Sequence, residues 1–136
     1  MTRLAVQPNP KAKSLLEDGA IGEIIWYRGE HHEDFLVDAD CNEWRKIGDA
    51  NGTLGDLMPH PIHCALTLAG PIQSIVADLK KHPEVRHEQS YPDANDDQVQ
   101  CMCRFANGAN GFISASRVAH GKKMGLTYEI HGTQGA

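Results

Sequence analysis

Val99, Cys101, Cys103 and Phe105 alternate with Gln100, Met102 and Arg104, and Asn107-Gly108 follows. A period of two sends successive side chains to opposite faces, the pattern of a half-buried strand. Asn-Gly tolerates the positive φ of a type I′ turn, so this strand is expected to fold back onto Gly111–Ala119. A lone hairpin is at best marginal in water, so the rest of the chain must cover it. Ile72–Lys80 reads as a strand ahead of the hairpin, and Leu126, Tyr128 and Ile130 mark one after it.

The first half mixes helix and strand. Asn9 is an N-cap with Pro10 at the first helical position, and Ala12, Leu15 and Leu16 lie at helical spacing before the stop at Gly19. Glu23–His31 is β-branched and aromatic and reads as a strand. Residues 34–52 form a long acidic excursion carrying Trp44 and Arg45, read as packing and surface residues. From Thr53 to Ala69 the apolar spacing is helical, but each of Pro59 and Pro61 costs about 3 kcal/mol in a helix interior. The expectation is a kinked helix, or a first turn and a restart at Pro61, ended by Gly70-Pro71. Lys81–Asn95 reads as a polar loop. Residues 1–136 together predict one α+β domain: a single open, mostly antiparallel β-sheet with helices on one face. The other face is left free for oligomer contacts.

A net charge of −5 argues against nucleic acid or an anionic membrane as partner, since both select basic surfaces. No apolar run approaches the roughly 18 residues of a membrane span. Four cysteines are too few for a disulfide framework, which sets a cytoplasmic expectation. At 136 residues the chain has room for only one half of a dinucleotide enzyme. It contains no Gly-x-Gly-x-x-Gly, Walker A, nucleophile elbow or Cys-x-x-Cys, and Gly52-Thr53-Leu54-Gly55 is too common a pattern to mean phosphate binding.

Histidine is the unusual count: its eight residues equal Trp, Tyr and Phe together. Asp56 and His60 stand four apart in the densest polar stretch, with His63 three further on. On a helix, a carboxylate one turn from an imidazole can orient the ring and tune it as a general acid/base. A helix-start Asp beside a structural His satisfies the same spacing. His60, His63, His31, His32 and Glu33 also offer ligands to zinc or iron, although no closed zinc spacing is matched. Alternation along the strand separates His31 and Glu33 from His32 and Asp34, so one pair can face a ligand pocket. Cys101 and Cys103 read as core. Arg117, in a basic stretch leaving a strand, reads as surface or as a contact to an anionic or hydroxylated ligand.

Several blocks, taken in order, resemble the C-terminal domain of the glucose–fructose oxidoreductase, inositol dehydrogenase and rhizopine-catabolism (Gfo/Idh/MocA) family. They are Asn9-Pro10 through Leu15–Ile24, Trp44-Arg45, Gly52–Leu57 with His60, Asp96-Asp97 through Arg104–Ala109, Ala115–Ala119, and Gly125-Leu126 with Glu129–Gly135. The resemblance implies the substrate-binding half of an NAD(P)-dependent oxidoreductase acting on a sugar, polyol or related hydroxy compound. NAD or NADP would be held by an N-terminal Rossmann domain missing from this chain, and the open sheet face would join copies into a homo-oligomer. It also implies that His60 exchanges a proton with substrate, that Asp56 orients it, and that His31 and Glu33 line the sugar pocket. On this expectation the chain is a fragment, stopping short of the family's last elements and inactive alone. A stand-alone sugar-binding or dimerisation module, or a His-rich metal-binding protein, are the alternatives.

Overall fold

The computed structural model describes residues 8–37, 52–85 and 95–136. Trp44, Arg45 and most of the expected polar loop after Lys81 lie outside the described residues. Helix α1 (Pro10–Glu17) begins where Asn9 accepts the Lys11 amide at 2.9 Å and ends before Gly19, whose φ is 73°. Eight residues cannot sustain a helix alone, and α1 is held by packing Ala12 and Leu16 onto the core. Strand β1 (Ile24–His32) follows.

The Thr53–Ala69 stretch divides into α2 (Thr53–Asp56) and α3 (Pro59–Leu68). The restart falls at Pro59, two residues before the expected Pro61. Both prolines then occupy the first turn, where a missing N–H breaks no intrahelical bond. The strands are β2 (Ile72–Lys80), β3 (Gln98–Phe105), β4 (Asn110–Ser116) and β5 (Gly125–Gly132).

The hairpin forms with a different turn. Gly108 has φ 90° and donates to the Phe105 carbonyl at 3.0 Å, while the Phe105 amide donates to Ala109 at 2.9 Å. Asn107 keeps a negative φ, its side chain bonding the Ala69 carbonyl and the Ala109 amide instead. The loop is therefore three residues with glycine in the left-handed position, not a two-residue type I′ turn.

The strand order is β2-β3-β4-β1-β5. The sheet is open and mostly antiparallel, with one parallel pair, β1 with β4. An antiparallel meander describes β2-β3-β4 only; β5 passes over to pair with β1. Helix α3 covers one face, against β1, β4 and β5. There Tyr27, Val99, Cys101, Phe105, Ile113 and Ala115 meet Met58, Ala65 and Leu68 in the core. Tyr27 and Phe105 pack edge-to-face at 5.8 Å. Each large side chain fully buried in this way contributes about 1.5–3 kcal/mol. Among the described residues no helix covers the opposite face, which carries Val76, Met102 and Arg104 in exposed positions. No helix among the described residues is long and apolar enough to cross a membrane.

Candidate functional site

Because β1 and β4 run parallel, both end at the same side of the sheet, where α2 packs beside β3 and β4. His31, next to last in β1, points to the helix-covered face and is buried. Its Nδ1 lies 3.3 Å from the Leu57 carbonyl oxygen and its Nε2 lies 2.9 Å from Glu33 Oε1. A carbonyl only accepts, so Nδ1 carries the proton of that bond. The His60 ring meets His31 edge-to-face, with centroids 5.1 Å apart and planes at 68°. The Leu57 carbonyl also accepts the His60 amide at 3.2 Å, joining both histidines through one oxygen.

Asp56 closes α2 and is buried. His60 is the second residue of α3 and half-buried. At the junction between Asp56 at the end of α2 and His60 in the first turn of α3, Leu57 and Met58 keep right-handed helical dihedrals. The structure thus gathers His31, Glu33 and His60 directly, with Asp56 at the same junction.

The neighbouring histidine follows the alternation. His32 lies on the uncovered face, its Nε2 2.9 Å from Ser114 Oγ, and burial pulls its pKa below 6.5 despite the opposing pull of Glu30. His31 and His32 therefore do not converge. Among the described residues no group of three or more His, Cys, Asp or Glu side chains is placed to hold a metal ion. Cys101 and Cys103 are core residues, and burial raises both thiols.

Arg117, expected at the surface, is instead fully buried, because its guanidinium is held by acceptors at the start of β3. Its Nε donates to Asp97 Oδ1 at 3.1 Å and its Nη2 to Asn95 Oδ1. The second Asp97 oxygen accepts the His82 amide at 2.6 Å. Beside this pair, Asp96 holds the start of α2: its carbonyl accepts the Thr53 amide at 3.0 Å and its Oδ2 the Leu54 amide at 2.8 Å. Asp96, Asp97 and Asn95 have no assigned role in the reading of the sequence. The available signal was an acidic pair at a strand start, across the hairpin from Arg117.

The Asp96 contacts also bear on a dinucleotide. The Thr53 and Leu54 amides, which in a phosphate-binding loop would point at the anion, are already taken. Gly52–Gly55 therefore does not fit a pyrophosphate.

Fold and site define the class first: an α+β domain with an open sheet, of the kind found within solved oxidoreductases. The chain belongs to the Gfo/Idh/MocA family, whose C-terminal domain model matches residues 10–136. A levoglucosan dehydrogenase from Pseudarthrobacter phenanthrenivorans is 37% identical over 144 residues, covering 92% of this chain and 37% of that protein. A levoglucosan dehydrogenase solved with NADH and levoglucosan superposes with a TM-score of 0.79 at 38% identity, over 90% of this chain and 34% of that one. An NAD binding oxidoreductase from Klebsiella pneumoniae gives 0.78 at 36% identity, again over 90% and 34%. The chain thus spans about a third of the length of the relatives it matches.

Proposed function

We propose that this chain is the substrate-binding and catalytic half of an NAD(P)-dependent oxidoreductase acting on a sugar, polyol or related hydroxy compound. The observation that carries the reading is the His31–His60 contact. A half-buried imidazole stands edge-on to a second ring fixed by the Leu57 carbonyl and Glu33. His60 so placed takes the proton of a substrate hydroxyl during oxidation and returns it in the reverse direction. Asp56, four residues earlier, orients it. His31 and Glu33 form the side of the pocket that meets the other hydroxyls. Arg117 serves the site from behind, tying the start of β3 to the end of β4.

Hydride chemistry belongs to a nicotinamide, NAD or NADP, held by a dinucleotide-binding domain outside the described residues. Relatives solved with NADH and a sugar support that choice of cofactor and substrate class. The buried thiols of Cys64, Cys101 and Cys103 suit a reducing, cytoplasmic setting. The uncovered sheet face suits a second copy of the chain, because Val76 and Met102 sit directly opposite each other at 70% and 66% exposure.

The test is His60→Ala in the longer protein that joins this chain to its dinucleotide-binding domain, assayed against a panel of sugars and polyols. Turnover on the best substrate should fall by about 10²–10⁴, the usual contribution of acid–base catalysis. Unchanged turnover refutes the role.

A further inference from the structure

We infer that Asp96 is the positioning residue of the Asp56/His60 site. The inference rests on the acid–base reading for its functional meaning, but its geometry stands apart from it. Helix α2 has only four residues, too few to hold a helical conformation by itself. Its start is fixed from outside, by the Asp96 carbonyl on the Thr53 amide and the Asp96 carboxylate on the Leu54 amide. A Cβ at Gly52 would overlap Asp96 Oδ1, so the chain can pass this closely only with glycine there.

The anchor is itself rigid. Asp97, the next residue, binds the fully buried Arg117 by its side chain, while its amide donates to Lys80 and its carbonyl accepts from Arg117. From the anchored end the connection to the histidines is short. Asp56 ends α2, and the carbonyl of the following residue, Leu57, accepts from both His31 Nδ1 and the His60 amide. A shift of α2 therefore moves the shared oxygen against both rings.

The experiment follows the imidazole nitrogens of His31 and His60 by long-range ¹H–¹⁵N correlation NMR in the 136-residue chain. Asp96→Ala should shift both sets of resonances and weaken the His31 Nδ1 proton signal. Asp96→Asn, which keeps an acceptor oxygen for Leu54, should leave them near their original positions. Asn107→Ala removes two hydrogen bonds in the hairpin loop at the other end of β3 and serves as the structural control. It should lower the melting temperature without moving the histidine resonances. Gly52→Ala displaces the Asp96 carboxylate without removing it and should reproduce the Asp96→Ala spectrum; should Asp96→Ala not fold, the comparison is read from Gly52→Ala against Asp96→Asn. Resonances that move no more in Asp96→Ala or Gly52→Ala than in Asn107→Ala overturn the inference. In the longer protein, Asp96→Ala should lower kcat by up to about 10²-fold, the scale of a misplaced reacting group. If His60→Ala leaves turnover intact, the acid–base reading fails while the NMR result still decides the placement.

Discussion

Replacing Asp97 by alanine removes a counter-charge from Arg117, a cation in a fully buried position. Both side chains of the pair are completely inaccessible, at 0% exposure, and Arg117 Nε and Nη2 each lie 3.1 Å from Asp97 Oδ1. Removing one partner of such a pair typically costs about 3–5 kcal/mol, because the remaining charge keeps its desolvation penalty. The His82 amide loses its acceptor as well, adding roughly 1 kcal/mol. For a domain of this size the melting temperature should fall by about 10–20 °C. Urea denaturation followed by circular dichroism reads the loss as a lowered midpoint at constant m. Arg117→Met, which fills much of the space with a flexible apolar chain, should cost less, since a polar carboxylate with other donors stays behind. The double variant should recover part of the Asp97→Ala loss, because neither charge then remains unpaired. A loss below about 1 kcal/mol for Asp97→Ala, or a double variant as destabilised as the two singles combined, refutes the account of a tightly coupled buried pair.

Three further outcomes can be checked alongside. The His32 pKa lies below its unfolded value of 6.5, so the native state binds fewer protons there and the contribution of this group to stability is fully present only above pH 6.5. That contribution is lost as pH falls toward the folded pKa, and His32→Gln should show a smaller drop in urea midpoint between about pH 7.5 and pH 5.5 than the parent chain. Gly108 has φ 90° with open space where a Cβ would stand, so Gly108→Ala should cost about 1–2 kcal/mol by conformation alone; an unchanged midpoint would discount the left-handed turn. Met102→Glu on the uncovered sheet face should shift sedimentation toward single copies while leaving the circular dichroism spectrum intact, and an unshifted distribution argues against a second copy on that face.

The elements set by local chemistry were readable from the sequence. Asn9-Pro10 announced α1, the alternation of Val99 to Phe105 announced β3, and the bounds of β2 agree residue for residue. The position of β1 was not readable, because pattern reveals a strand's faces and not its distant neighbours, and β1 pairs with two strands far along the chain. The Asp97–Arg117 pair was hidden by the turn. A two-residue turn at Asn107-Gly108 would have set Arg117 opposite Gln98. The three-residue loop shifts the register by one, pairing Gln98 with Ser116 and bringing Arg117 across from Asp97. At the candidate site, the residue types single out His31, Glu33, Asp56 and His60, but nothing in them marks the carbonyl of Leu57 that joins the two histidines. Backbone oxygens carry no sequence signature.

The place of β1 also limits the order in which the strands can pair. Strands β2, β3 and β4 are joined by neighbouring segments and can pair as soon as they leave the ribosome. β1 is synthesised before all of them, yet has no partner until β4 exists, and its second edge stays open until residues 125–132 arrive. Pairings this distant in sequence make for slow folding, and an uncovered strand edge invites association with other chains in the meantime. Strand β5 is the one that covers the second edge of β1, and Tyr128 within it also receives the amide of Asn9, which lies at the start of α1.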